Sequence, residues 1–200
     1  MLETTVGALF QRAVRHYAGR SAVKQDARVL TYRDLGEQVN RLANALAGLG
    51  LRHGDRIALL MWNCPEYVVC DFAAATAGLV KVPLNHLLTR DDVQFRIQDS
   101  EAAAVICDEH FAPMVDDIVA SCPSLRHRIC VTGDGRRAPA GFTSFEDLVA
   151  AGSPRDPGVP VSHDEPARPR DPGRCPRGRR QHAGADAAVS RATGLGPGRG

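Results

Sequence analysis

Lysine is almost missing from this chain of 200 residues, where Lys24 and Lys81 stand against twenty-three arginines. Such a bias fits GC-rich coding better than any biochemical demand, and neither lysine lies beside a glycine-rich loop, so neither resembles an activated amine. Apolar runs near the roughly 18 residues that span a membrane are also lacking. The opening MLETTVGALFQRAVRHY has neither the basic start nor the apolar core of a signal peptide. The expectation is a cytoplasmic protein with no membrane span. The six cysteines, at 64, 70, 107, 122, 130 and 175, include no C-x-x-C pair and no histidine at ligand spacing. They read as free thiols of a reducing compartment, several in core positions, and a chain this long does not need a disulfide framework. No metal-ligating residue is assigned.

What is present is ordinary for a globular chain: 44% hydrophobic and 24% charged residues. The length suits one domain or a little more, enough to bury a core. The net charge of +2 hides a split, because the residues from Pro166 onward hold eight arginines, two aspartates and no lysine or glutamate, a net +6 against −4 for all that precedes.

Periodicity organises the first part. Val6, Leu9, Phe10, Ala13, Val14 and Tyr17 mark a helix from about Thr5 to Ala18, stopped by Gly19. Ala22 to Gln25 and Arg28 to Thr31 read as a hairpin. Thr31 caps the next helix with Asp34 three residues on, Leu35, Val39, Leu42, Leu46 and Leu49 make its stripe, and Gly50 ends it. Arg56 to Trp62 is a strand buried on both faces. Asn63 then reads as the cap of a helix whose first turn holds Pro65 and Glu66.

The alternation continues with a strand at Leu79 to Pro83 and a helix capped by Thr89 over Asp91 to Gln98. A strand at Ala103 to Cys107, a helix at Phe111 to Ala120 and a strand at Arg128 to Val131 follow. Ser144 to Ala151 is a short helix before a proline-rich link at Ser153 to Pro160. This order implies an α/β fold, a mainly parallel sheet with helices on both faces.

Two stretches are more specific. One is LTYRDL, Leu30 to Leu35, leading into GLRHGDRIALLMWNCPEYVVCDFAA; the other is AAATAGLVKVPLNHLLTRDDVQFRIQDSEAAAVICD, Ala73 to Asp108. Together they resemble the N-terminal part of the adenylate-forming ligases, most closely the AMP-forming acyl-CoA synthetases that activate fatty and related carboxylic acids. Gly78-Leu79-Val80-Lys81-Val82-Pro83-Leu84-Asn85 is the most distinctive part, with Leu79 in the usual valine slot. Asp99-Ser100 and Cys107-Asp108 also fall where the family has them. The resemblance implies the N-terminal subdomain of the adenylate-forming ligase fold, with residues 1–165 as the N-terminal part of the AMP-binding domain.

In that family a sequence like His163-Asp164-Glu165-Pro166-Ala167 leads to a strand and a loop rich in Thr, Ser and Gly that closes with Pro-Lys-Gly. ATP phosphates need converging N–H groups, hydroxyls and an ammonium. This chain offers RPRDPGRCPRGRR, in which Pro169, Pro172 and Pro176 each lack an N–H donor, and there is no Ser or Thr before Ser190 and no Lys. Residues 166–200 contain no aromatic, and only Val189 and Leu195 as larger aliphatics. Too little apolar surface is available there to offset ordering, so a disordered tail is expected. A shifted reading frame accounts for the change: read one base over, codon degeneracy allows Gly178 to Val189 to encode an apolar run beginning Val-Val-Val, like the family's continuation.

An intact relative, by this resemblance, uses ATP, Mg²⁺ and coenzyme A: a carboxylate attacks the α-phosphate, and the coenzyme thiol then displaces AMP. The family's phosphate loop, metal-binding glutamate, ribose-binding aspartate and C-terminal lysine have no counterpart here, so no catalytic, cofactor-binding or metal residue is carried over. Asp91-Asp92 and Asp116-Asp117 read as solvated surface, His53 as a turn residue, and Trp62 and Tyr67 as core or subdomain contacts. The expected function is a truncated fatty-acid–CoA ligase, inactive alone. Its alternatives are one chain of a split ligase completed by a separately encoded C-terminal chain, or weak nucleic-acid binding by the basic tail; no specific nucleic acid is expected.

Overall fold

The computed structural model describes residues 5–133 and 136–161. The expected disorder and frame shift of residues 166–200, and Cys175, fall outside the described residues.

Helix α1, Val6–Tyr17, starts where the Thr5 hydroxyl accepts the Ala8 N–H. Strands β1, Ser21–Gln25, and β2, Arg28–Thr31, form the expected antiparallel hairpin. Helix α2, Tyr32–Gly48, has a full capping box: the Asp34 N–H donates to the Thr31 hydroxyl and the Thr31 N–H donates to the Asp34 carboxylate at 3.0 Å. Gly50 follows with φ +84°, the left-handed backbone that closes a helix at least cost to glycine.

Five further strands make one sheet. They are β3, Arg56–Leu60; β4, Val80–Pro83; β5, Ala104–Asp108; β6, His127–Val131; and a two-residue edge, β7, Thr143–Ser144. All pairings are parallel, in the order β4-β3-β5-β6-β7. Between them run α3, Pro65–Thr76; α4, Arg90–Ser100; and α5, Ala112–Val119, preceded by a 3-10 turn at Glu109–Phe111; α6, Phe145–Ala151, comes last.

The strands alternate side chains between two cores. Ile57, Leu59, Ala104, Ile106 and Ile129 pack with Phe10 of α1, the α2 stripe, Val69 and Ala73 of α3 and Phe145 of α6. Ala58, Leu60, Val105, Cys107 and Cys130 pack with Val93 and Ile97 of α4 and Val115 and Ile118 of α5. Both faces are therefore apolar, which is why β3 and β5 read as continuous apolar runs rather than alternating ones.

Two expectations are corrected. Asn63 does not cap α3: Cys64 occupies the cap position without a side-chain hydrogen bond, because Pro65 already sits at the first helical position and the Asn63 carbonyl accepts from Gln25. The strand read as Arg56 to Trp62 ends at Leu60, and Trp62, 45% exposed beyond it, is not buried in the core of the described residues. Tyr67 does pack against the first core, half-buried. The proline-rich link is held to α2: the Asn40 amide donates to the Pro154 carbonyl at 3.0 Å, and the Asn44 amide to those of Ser153 and Arg155 at 2.9 and 2.8 Å.

Candidate functional site

In a parallel sheet, the useful opening lies at the carboxyl ends of two adjacent strands whose following connections leave toward opposite faces. Here those strands are β3 and β5. From β3 the chain enters α3 on the first face; from β5 it enters α5 on the second. The residues just past the two strand ends meet across this point. The Trp62 N–H donates to Asp108 Oδ2 at 2.6 Å.

An aromatic and imidazole cluster surrounds that hydrogen bond. The Trp62 ring lies 4.3 Å from His86, which follows β4, 5.6 Å from Phe111 and 6.1 Å from His110 by ring centroids. His110 meets Phe111 edge-on at 4.9 Å. Phe111 is buried, His86 half-buried and His110 exposed, so the cluster has an anchored base and an open top. Asp108 is half-buried, and burial raises its carboxyl above the ordinary carboxylate range; the Trp62 N–H acts against that, Glu66 adds to it, and His110 opposes it. A shifted carboxyl in a strand-end crevice is the kind of group that marks functional sites.

The motif Gly78 to Asn85 runs from the amino end of the sheet along β4 to the loop that carries His86. Gly78 has φ +66° and lies under His53, where an added Cβ would stand 2.1 Å from the imidazole Cδ2, so only glycine is accommodated. Its carbonyl accepts the Gly54 N–H at 2.7 Å, which joins the turn before β3 to the start of β4. Pro83 closes β4 on the sheet edge, where no N–H is needed. The Asn85 side chain then accepts the Leu87 N–H at 2.9 Å and turns the chain toward α4.

The other residues singled out from the sequence fall elsewhere. His53 lies in the turn before β3. Lys81 pairs with Asp71 on α3, and Lys24 is exposed on β1. Asp92 closes a capping box with Thr89, Asp91 pairs with Arg90 at 3.1 Å, and Asp116 pairs with Arg128, so these carboxylates serve caps and surface pairs. Cys64, Cys70, Cys107, Cys122 and Cys130 are free, with all but Cys64 buried. Burial pushes the Cys64 thiol up to about 11, so it is no thiolate nucleophile at neutral pH. Cys107 and Cys130 face one another across β5 and β6, and their shared sulfur contact together with burial holds Cys107 protonated. Sequence reasoning missed Asp108, His86 and His110 as a group; the available signal was an acid at the carboxyl end of a buried strand.

This crevice does not fit a magnesium triphosphate. Among the described residues no three His, Cys, Asp or Glu side chains are grouped to hold a metal ion. Glu66 adds to the negative charge around Asp108, and among the described residues Arg136 is already engaged by Glu109 at 2.9 Å, which disfavours phosphate oxygens there. A second opening, of about 450 Å³ between α2 and α6, is lined by Arg28, Glu37, Arg41, Glu66 and Glu146. Its arginines are already paired, Arg28 with Glu66 and Arg41 with Glu37.

The fold is an α/β domain of the kind found at the start of nucleotide-activating ligases. The profile of the AMP-binding enzyme family matches residues 10–172, and the chain belongs to that family. Among similar proteins, the crotonobetaine/carnitine–CoA ligase of Escherichia coli is 35% identical over 118 residues, covering 59% of this chain and 23% of that protein. The ligase of the same name from Salmonella enteritidis is 34% identical over 123 residues, covering 62% and 24%. The chain thus spans about a quarter of the length of these curated relatives.

Among solved structures, the anthranilate CoA ligase AuaEII in complex with anthranoyl-AMP aligns at a TM-score of 0.73 and 26% identity, covering 78% of this chain and 29% of that one. The inhibitor-bound N-terminal domain of FACL13 from Mycobacterium tuberculosis aligns at 0.70 and 25%, covering 78% and 38%. The mainly parallel sheet with helices on both faces is therefore the N-terminal subdomain architecture of adenylate-forming acyl-CoA ligases. No helix among the described residues is long and apolar enough to cross a membrane.

Proposed function

We propose that residues 1–165 are the N-terminal part of a ligase that joins a fatty or related carboxylic acid to coenzyme A through an acyl-adenylate, and that the 200 residues do not perform this reaction alone. The fold match to a ligase carrying an acyl-adenylate, at a TM-score of 0.73, supports the first half. The second half rests on the missing cradle: no Ser/Thr/Gly loop with a lysine occurs in the 200 residues, and the strand-end crevice presents a carboxylate where phosphate would need cations. ATP, Mg²⁺ and coenzyme A belong, on this reading, to a complete ligase. Residues 166–200 are read as a frame-shifted segment.

A second reading is a split ligase completed by another polypeptide. It is favoured by Trp62, Leu87 and Phe95, three large apolar side chains exposed at the carboxyl end of β3, in the loop after β4 and on α4. Pyrophosphate release with ATP, coenzyme A and a panel of long-chain fatty acid, carnitine and anthranilate tests both. The expected result is no turnover by the 200-residue chain, and turnover when the missing portion of a ligase is co-expressed with it. Turnover by the purified chain alone would overturn the first reading. Absence of any complex or activity on co-expression would overturn the second.

A further inference from the structure

We propose that the outer face of α1, with the hairpin beside it, docks on anionic lipid surfaces. Helix α1 carries more apolar residues than its contact with the core uses. Phe10 and Val14 point inward, yet Val6, Leu9 and Tyr17 remain 60%, 51% and 47% exposed. From Val6 through Leu9 and Ala13 to Tyr17 the steps are three, four and four, so these residues share one outer band. The hairpin adds Val29, also exposed, with Lys24 paired opposite it.

Cations lie beside the band: Arg12 is one turn after Leu9 and Arg20 three residues after Tyr17, while Arg15 is on the far side of α1, lining a cleft with Asp156. Residues 5–33 contain Arg12, Arg15, Arg20, Lys24, Arg28 and Arg33 against the single acid Asp26. Arg28 is taken by Glu66, but Arg12, Arg15, Arg20 and Lys24 have no carboxylate among the described residues within ion-pair distance. Between residues 34 and 137, by contrast, seven of the ten lysines and arginines are ion-paired. The Arg20 guanidinium lies 5.4 Å over the Tyr17 ring, and Tyr17 lies 6.0 Å from Tyr32, which places two phenols beside the cations.

Aliphatic side chains in a band, phenols at one end and unpaired guanidinium groups along the flank match the order of a bilayer interface: acyl boundary, headgroup, phosphate. An acidic protein would satisfy the arginines but would need its own apolar groove for Val6 and Leu9. A bilayer provides both.

The test is sedimentation of the full chain with vesicles of about 70% phosphatidylcholine and 30% phosphatidylglycerol, against phosphatidylcholine alone, in low and high salt. The anionic vesicles should retain at least about fivefold more protein, and raised salt should remove the difference. Because residues 166–200 also carry net +6, the decisive arms lie in α1. Replacing Arg12 and Arg20 together by Ala, or Leu9 and Tyr17 together by Ala, should each lower retention about fivefold while the far-UV spectrum is kept. Hydrogen exchange of α1 amides in the unaltered chain should slow on vesicle binding. Unchanged retention in both variants, no slowing in α1, or equal slowing with soluble polyglutamate and no lipid would each overturn the proposal, the last by pointing to an acidic protein.

Discussion

The two ends of the parallel sheet are built on opposite terms. At the amino end the starts of β3, β4 and β5 are tied together: the Gly54 N–H donates to the Gly78 carbonyl, the Val80 N–H to the Asp55 carbonyl, and the Ala103 N–H to the Arg56 carbonyl, all within 2.9 Å. The Arg56 side chain caps α4 by donating to the Ser100 carbonyl at 2.7 Å and pairs with Glu101 at 2.9 Å, with both side chains largely buried. At the carboxyl end Trp62 and His110 are exposed, and Asp108 has its carboxyl raised by burial. One end spends its polar groups on holding strands in register. The other keeps them facing an opening, which is where ligands of such sheets bind.

The largest effect expected from this contrast is at Gly78. Gly78→Val puts a branched side chain on a left-handed backbone and into His53, and should destabilise the fold by more than about 3 kcal/mol, read by thermal or urea unfolding. Arg56→Ala comes next, at about 2 kcal/mol, because it strands Glu101 and the last carbonyls of α4. Trp62→Ala, at the other end, should cost under about 1 kcal/mol by circular dichroism, since nearly half of the ring is already in water. If Trp62→Ala cost as much as Arg56→Ala, the two ends would not differ in the way described.

Asp108→Asn should give the smallest change and a distinctive pH dependence. A carboxyl raised in the folded state binds its proton more readily there than in the unfolded chain, so it favours folding at pH below its ordinary value of about 4. That advantage is lost as pH rises through the folded value. The variant should therefore gain on the native chain between about pH 4 and the raised value, and keep a constant lead above it. Asp34 and Asp92, lowered first by hydrogen bonds from Thr31 and Thr89, act with the opposite sign: their contribution is lost as pH falls. A difference between native and variant melting temperatures that shrinks with rising pH would reverse the assignment for Asp108.

Most of the architecture was legible from the spacing of apolar residues. The α2 stripe, the Thr31 and Thr89 caps and the apolar runs of β3 and β5 were readable because helix and strand periods leave local signatures. β7 was not, being two residues whose pairing with β6 exists only in the tertiary fold. The misplaced cap at Asn63 shows a limit of local reading: two good signals, Asn and Pro, stood two residues apart, and Pro65 set the start. The candidate site was less readable still. Trp62, His86 and His110 are separated along the chain by two strands and two helices, and only the strand order brings them to one place. Trp62 read as the end of a strand buried on both faces because Ile57 to Met61 before it are buried, whereas this side chain just beyond the carboxyl strand end is exposed.

The strand order has a consequence for how the molecule is made. Ile57 lies between Lys81 of β4 and Ala104 of β5, and the β5 partner is encoded roughly fifty residues after β3. At about 5–20 residues per second of synthesis, β3 waits several seconds beside β4 alone before its second neighbour leaves the ribosome. During that interval Ala58 and Leu60 have neither β5 beside them nor α5 over them, so the nascent segment around β3 is the part of this chain with most reason to engage a chaperone.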